Sequence, residues 1–312
     1  MTDLVLALDV GGTKVAGALV ERGGAVRRAV RAGTPLGDAE ETFAAVASVV
    51  DEVLAGEPVA AVGIACAGPV DATAGTVSPI NVPGWRAFPL RDRVGALVPG
   101  VPVELAGDGT CMALGEHWLG AGRGSRFMVG LVVSTGVGGG LVLGGRPFGG
   151  RTGNAGHVGH VVVEPDGEPC TCGGRGCAET VAGGPRMVAW ARQRGWQAPE
   201  GADAALLAAA AQAGEDLPRA AFERAGRAVG MAIAATAAVV DLDLAVVGGG
   251  VAQAGELLFD PLRRTVAEHC GLSYLDGLRV EPARLGGRAG LVGAAALVLG
   301  GPLGISERRR PA

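Results

Sequence analysis

Near the amino terminus, Asp9-Val10-Gly11-Gly12-Thr13-Lys14 brings a carboxylate, two glycines, a hydroxyl and a cation into one short stretch. Glycines in a tight bend expose backbone N–H groups that can line an anion. Thr13 can donate to a phosphate oxygen, and Asp9 can hold Mg²⁺ directly or through water. The same spacing also fits an ordinary hairpin turn. Thr135-Gly136-Val137-Gly138-Gly139 repeats the chemistry without a cation, and Gly248-Gly249-Gly250 is a third glycine turn. A lone Gly-x-Gly is weak evidence for a dinucleotide site when no strand-helix unit with a ribose-binding acid clearly follows, which argues against a Rossmann reading.

A second group of residues can bind metal. Cys170, Cys172 and Cys177 lie close together with His160 upstream. Three thiolates and one imidazole make the Cys₃His set of a closed tetrahedral Zn²⁺ site. Disulfides are not normally kept by a cytoplasmic chain, and free buried thiols rarely cluster so tightly. With every ligand position filled by protein, the metal is expected to be structural. It would fix the loop carrying Glu179, and one nitrogen of His160 on the metal leaves the other free to face a substrate. Cys66, Cys111 and Cys270 have no such neighbours and read as small core or near-core residues.

These groups need a scaffold, and the composition says of what kind. The chain has 312 residues, 48% apolar and 19% charged, with a formal charge of −4. That balance excludes wholesale disorder and gives no basic field for nucleic acid or an anionic membrane surface. The length favours two domains. The first residues carry no basic n-region and run into an apolar stretch too short for a signal peptide, so a cytoplasmic location is expected. Ala228 to Val240 is shorter than a membrane span and reads as a buried helix. The arginine-rich end, Arg308 to Ala312, reads as a solvated tail.

Leu4 to Val10 is a continuous apolar run closed by glycines, the pattern of a strand buried on both faces. Strands follow at Val15 to Val20 and Ala25 to Ala32, then a helix at Ala39 to Ala55 and a strand at Val59 to Ile64. A long loop carries Asn81 and Trp85, before a helix at Leu90 to Leu97 and a strand at Val101 to Leu105 that stops at Asp108. From Met128 to Val133 the pattern begins again, closed by the glycine-rich stretch Ser134 to Gly140, with Leu141 to Leu143 pairing after it. An alanine-rich helical region from Arg186 to Val240, a strand at Leu244 to Val247 and a closing helix near Leu291 to Leu299 complete the chain. Two α/β halves that each open with a strand and a glycine turn predict a duplicated fold with a cleft between them.

These motifs resemble one family. Asp9 to Lys14, the Asn81-Val-Pro-Gly-Trp85 loop, Asp108 followed by Ala113-Leu-Gly-Glu116, and Thr135 to Gly140 are similar to the ROK family of bacterial sugar kinases and sugar-responsive repressors. So are Gly159-His160, the segment Cys170 to Glu179, and Val247 to Gly250. The resemblance covers residue 4 to about 300. It implies the α/β, actin-like, hexokinase-type (ribonuclease H-like) fold, duplicated, with ATP and sugar in the interdomain cleft. By that analogy, a small domain takes residues 1–120 and about 290–312, and a large domain with the zinc loop takes 121–289.

The resemblance also assigns roles. Asp108, which by itself reads more readily as a helix cap, falls at the family's catalytic aspartate. Asp9, Gly11, Gly12, Thr13, Lys14, Thr135, Gly136 and Gly138 would handle phosphates and Mg²⁺, with Gly248, Gly249 and Gly250 on the nucleotide side. Asn81, His157, His160 and Glu179 would contact sugar, and His160, Cys170, Cys172 and Cys177 are the family's metal ligands. His117 and His269 read as ordinary helix residues. Two positions depart from the pattern: the family's kinases usually carry Asn where this chain has Gly107, and Glu where it has His157. Gly107 removes an amide, and His157 replaces an acceptor-only carboxylate with a ring that donates and accepts one bond each. The expected reaction is phosphoryl transfer from ATP to a primary hydroxyl, the 6-OH, of glucose or of a derivative such as 3-amino-3-deoxyglucose, an acetylated hexosamine or a cyclitol. The alternatives are a noncatalytic sugar-binding protein and a sugar-sensing regulator. Such regulators carry a DNA-binding region ahead of the first glycine turn, and here Asp9 is almost at the start. The resemblance further suggests a homodimer or homotetramer.

Overall fold

The computed structural model describes residues 3–35 and 37–299; the expected tail at 308–312 lies outside the described residues. The apolar run forms β1 (Leu4–Val10), and β2 (Lys14–Glu21) and β3 (Val26–Gly33) return antiparallel beside it. After α1 (Ala39–Leu54) come β4 (Val62–Cys66), the two-stranded ribbon β5 (Val70–Asp71) and β6 (Thr76–Val77), α2 (Leu90–Leu97), β7 (Val103–Gly107) and α3 (Asp108–Leu119). The first sheet has the order β3-β2-β1-β4-β7, with β1, β4 and β7 parallel.

Both faces of β1 are covered, which explains its unbroken apolar run. Leu6, Leu8 and Val10 pack with Val46, Val49, Val53 and Ile64 on the α1 side, while Val5 and Ala7 pack with Ala294 to Leu297 on the other. Asp38 starts α1 with a capping box: its side chain accepts from the Glu40 and Glu41 N–H groups, and Glu41 reaches back to the Asp38 N–H.

The second sheet is built from β8 (Phe127–Val133), β9 (Val137–Leu143), β10 (Arg146–Phe148), β11 (Leu244–Gly248) and β12 (Arg279–Pro282), in the order β10-β9-β8-β11-β12. Between β10 and β11 run α4 (Ala178–Ala182), α5 (Gly184–Gln193), α6 (Ala204–Gln212) and α7 (Asp216–Val240); α8 (Glu256–His269) and α9 (Ala289–Leu299) follow β11. The expected helical region from Arg186 to Val240 comprises three helices. Gly195, at φ +103°, follows the end of α5, Asp203 caps the start of α6, and Gly214, at φ +101°, lies between α6 and α7. The expected buried helix lies within α7, whose inner face is buried through Ala237 while Val239 is 83% exposed. No helix among the described residues is long and apolar enough to cross a membrane.

The glycine stretch before Leu141 also differs from expectation. It is not a turn as far as Gly140: β9 already begins at Val137. A Cβ at Gly140 would collide with the backbone of Gly109 and Thr110 at the start of α3, so glycine is needed there for close approach within a strand.

The chain divides into two compact units. One comprises Met1–Gly124, Gly140–Gly156 and Gly287–Ala312, as far as these are described, and the other Ser125–Gly139 and His157–Gly286. The segment Gly140–Gly156, which the sequence assigned to the larger domain, belongs to the first unit.

Candidate functional site

In the first unit, the turn between β1 and β2 is closed by the Gly11 N–H donating to the Lys14 carbonyl at 2.9 Å. The Gly11 amide is therefore spent within the turn. Among the described residues the N–H groups of Gly12 and Thr13 donate to no backbone acceptor, so this bend can offer them to an anion. Thr34 ties the turn to the end of β3: its N–H reaches the Thr13 carbonyl at 3.2 Å and its hydroxyl the Gly11 carbonyl at 2.7 Å.

Asn81 is brought to the same turn. A Cβ on Gly12 would lie 2.5 Å from Asn81 Cγ, so the amide lies directly against the glycine, and only glycine leaves room for it. The Asn81 loop is anchored by Trp85, fully buried, stacked on Phe88 at 4.4 Å and donating from its indole N–H to the Ala39 carbonyl at 3.1 Å. Arg86 donates to the carbonyls of Pro79 and Trp85 and closes the loop on itself.

Asp9 is the penultimate residue of β1, and Asp108 begins α3 directly after β7. Both stand at the carboxyl ends of parallel strands separated only by β4. Burial lifts the Asp9 carboxyl above its ordinary range; Lys14 opposes this, the Asp108 charge adds to it, and Arg31 opposes it. Burial likewise lifts Asp108, against the Gly109 N–H that donates to its Oδ1 at 2.7 Å. The Asp108 side chain nevertheless has solvent-accessible surface, so it is a carboxylate of raised basicity that a ligand can reach. Gly107, which precedes it, is buried, yet a Cβ there would meet only the Thr110 hydroxyl at 3.9 Å; packing does not forbid a side chain at this position. Cys66 and Cys111 are fully buried, as expected, and burial with the nearby Asp charges raises both thiols far above their ordinary value. Cys270 is half-buried at the end of α8.

In the second unit, Ser134 to Gly136 forms the turn after β8, with the Ser134 N–H donating to the Gly136 carbonyl at 2.8 Å. The Thr135 and Gly136 N–H groups have no backbone acceptor among the described residues, the counterpart of Gly12 and Thr13. Glu179, in the first turn of α4, accepts from the Val137 N–H at 3.0 Å, which lays its carboxylate against Gly136. Gly138 is a strand residue of β9 rather than part of the bend. Gly248 ends β11, and Gly249, at φ +98°, meets the Val133 backbone so closely that no Cβ would fit; close packing on β8 sets this glycine.

The four residues expected to bind metal are assembled. The ligand atoms of His160, Cys170, Cys172 and Cys177 all lie within 4.8 Å of one another. His160 Nδ1 is 3.8 Å from Cys170 Sγ, and Cys172 Sγ is 3.7 Å from Cys177 Sγ. A zinc tetrahedron with Zn–S near 2.3 Å has edges of about 3.8 Å, so the donor set and its spacing fit Zn²⁺. The Gly174 N–H holds the Cys172 thiol below its ordinary value, while burial and the neighbouring sulfurs push Cys177 up to about 12. Cys177 occupies the N-cap position of α4, so one member of the cluster stands at the start of the helix that carries Glu179. His157 lies parallel to His160 with ring centroids 6.1 Å apart; burial and His160 lower its pKa against the pull of Glu179, which keeps the ring neutral at pH 7.

The pattern of the ROK family matches residues 5–300. Glucokinase of Thermotoga maritima is 35% identical over 309 residues, spanning 94% of this chain and 96% of its own. N-acetylmannosamine kinase of Yersinia pseudotuberculosis is 33% identical over 296 residues, spanning 93% and 96%. A ROK glucokinase from Streptomyces griseus, solved with glucose and AMPPNP, matches with a TM-score of 0.82 at 36% identity, over 94% of this chain and 98% of its own. The two α/β units, each with a five-stranded sheet and a glycine bend, define the actin-like, hexokinase-type class of two-domain proteins. The chain belongs to the ROK family.

The raised carboxyls have a consequence for stability. A group whose folded pKa exceeds its unfolded value contributes stability that is complete below the unfolded pKa and is lost as pH rises through the folded one. Ionised Asp9 and Asp108 therefore cost stability at neutral pH. Asp108→Asn and Asp9→Asn are each expected to raise Tm relative to wild type at pH 7, by a margin that shrinks toward about pH 4, near the ordinary carboxylate value. A lower Tm at pH 7, or a margin independent of pH, would contradict the burial described above.

Proposed function

We propose that this chain transfers the γ-phosphoryl group of ATP to the primary hydroxyl, the 6-OH, of glucose or of a glucose-derived amino sugar, with Asp108 as the base. It is a sugar kinase, an ATP-dependent phosphotransferase of the ROK family. The observation that carries the reading is the reachable Asp108 carboxylate of raised basicity, standing in one unit with Asp9, the Gly12–Thr13 bend and Asn81. Asp108 orients the sugar hydroxyl and takes its proton as the oxygen bonds to the γ-phosphorus and the bond to ADP breaks; the proton then leaves to solvent.

Asp9 would hold Mg²⁺, which when bound neutralises charge on the β- and γ-phosphates. Gly11, Gly12, Thr13 and Lys14 in the first unit, and Thr135, Gly136 and Gly138 in the second, are assigned to the phosphates, with Gly248, Gly249 and Gly250 on the nucleotide side. Open N–H groups at Gly12, Thr13, Thr135 and Gly136 support this most directly; Gly138, inside a strand, is the weakest member. Asn81, His157, His160 and Glu179 are assigned to the sugar. His160, Cys170, Cys172 and Cys177 would hold a structural Zn²⁺ that positions Glu179 and, through Nδ1, leaves His160 Nε2 for the substrate.

Gly107 and His157 point to a derivative of glucose rather than glucose alone. A neutral imidazole can accept from an ammonium or hydroxyl or donate to an acceptor. Gly107, directly before Asp108 in the chain, leaves space that a side chain would take up. Exchanging such contacts alters substrate preference more than turnover chemistry.

Coupled ADP release across glucose, amino-deoxyglucoses, acetylated hexosamines and cyclitols tests the reading. Turnover is expected with at least one, and none with any member would contradict it. Asp108→Asn should lower kcat by about 10²-fold or more with sugar binding retained. The acid limb of the wild-type kcat/KM profile should fall above the ordinary carboxylate range. A nearly normal rate in the variant removes Asp108 from its role. Metal analysis should return one zinc per chain, lost in Cys177→Ser together with protease resistance of the 160–180 loop; purified protein without zinc would contradict the metal assignment.

A further inference from the structure

β3 carries three arginines within five residues, and two are paired with carboxylates. Arg28 donates to the Val53 and Leu54 carbonyls and pairs with Glu57 at 2.9 Å, and Arg27 reaches Glu21 and Glu57. The third, Arg31, is exposed and forms no ion pair among the described residues.

Strand register fixes the position of Arg31 on the sheet. Asp9 is opposite Ala16 on β2, and Ala16 is opposite Arg31 on β3, so the three form one row across the sheet, on the same face. Strands lie about 4.8 Å apart, which sets Asp9 and Arg31 roughly 10 Å apart at the backbone. An arginine side chain spans most of that gap, and the alanine between them does not obstruct it. The Asp9 carboxylate feels the Arg31 charge, after those of Lys14 and Asp108. Three residues on, Thr34 is hydrogen-bonded through both its N–H and its hydroxyl to the Gly11–Lys14 turn, so β3 cannot move independently of that turn.

We propose that Arg31 is a phosphate-binding residue for the polyphosphate tail of the nucleotide donor, a second cation beside the Gly11–Lys14 bend. The inference deepens the kinase reading and rests on it. A triphosphate approaching two ionised carboxylates meets repulsion that Lys14 alone offsets incompletely, and a guanidinium matches the paired oxygens of a phosphate. Arg27 and Arg28 are held by Glu57; Arg31, unpaired and in the row of Asp9, is the arginine of β3 left to do this.

The test is calorimetric titration of wild type, Arg31→Gln, Arg31→Lys and the control Arg27→Gln with Mg·AMPPNP and Mg·ADP, alongside ATP kinetics. An exposed charge contact changes affinity by up to about fivefold. Arg31→Gln is expected to raise Kd for AMPPNP and KM for ATP by about that factor, with kcat and the sugar KM within twofold and less loss for ADP. Arg31→Lys should recover most of the loss, and Arg27→Gln should match wild type. Unchanged nucleotide affinity in Arg31→Gln would overturn the proposal. So would equal weakening in Arg27→Gln, or a uniform loss accompanied by a lower Tm. If wild type binds AMPPNP but phosphorylates no sugar, the kinase reading fails while the titration still decides Arg31; no AMPPNP binding by wild type overturns both.

Discussion

Two negative charges held close together at the ends of parallel strands are the constraint around which the first unit is organised. β1, β4 and β7 run parallel, so their carboxyl ends fall along one edge, and Asp9 and Asp108 are delivered there by chain geometry alone. Burial raises the proton affinity of both, and at Asp9 the Asp108 charge adds to it. A fold keeps such an unfavourable pair where function requires it, because the same desolvation that costs stability makes a better base and a tighter cation site. The surrounding features answer that pair. Lys14 and Arg31 offset charge at Asp9, and the Gly109 N–H stabilises Asp108 without neutralising it. Gly290 on α9 lies so near Asp9 that a Cβ there would crowd its carboxylate.

The second unit solves a different problem: holding a carboxylate and two imidazoles on a short helix and a loop. α4 has five residues, too few to be stable by itself. Its start is fixed by Cys177, a member of the thiol cluster, and its Glu179 is tied to the Val137 N–H. Ala178, Val181 and Ala182 of α4 are buried in the core of the unit, so packing and the cluster together set the position of Glu179.

Much of this was legible in the chain. The uninterrupted apolar run of β1 followed by paired glycines located the first bend, and three cysteines near one histidine located the thiol–imidazole cluster, because both depend on neighbours in sequence. What could not be read depends on distant partners. Gly138 to Gly140 reads as a turn from composition, yet β9 runs through it because Gly140 must admit the backbone of α3, some thirty residues away in the chain. The Gly11 amide reads as available from its neighbours, but the Lys14 carbonyl occupies it. Arg31 gives no local signal at all; its position beside Asp9 exists only through two strand registers. Gly107 and His157 stood out against the family pattern, but that Gly107 has room for a side chain is visible only in three dimensions.

The central claim is that the paired carboxylates divide the labour, Asp9 serving the metal–nucleotide and Asp108 the sugar hydroxyl. Equilibrium titration of Asp9→Asn and Asp108→Asn with Mg·AMPPNP tests this most directly. The account predicts that Asp9→Asn loses about tenfold or more in nucleotide affinity, the scale of one lost charged contact at a buried site, while Asp108→Asn binds as tightly as wild type or tighter, since a repelling charge is gone. Equal weakening in both variants, or loss confined to Asp108→Asn, would contradict it.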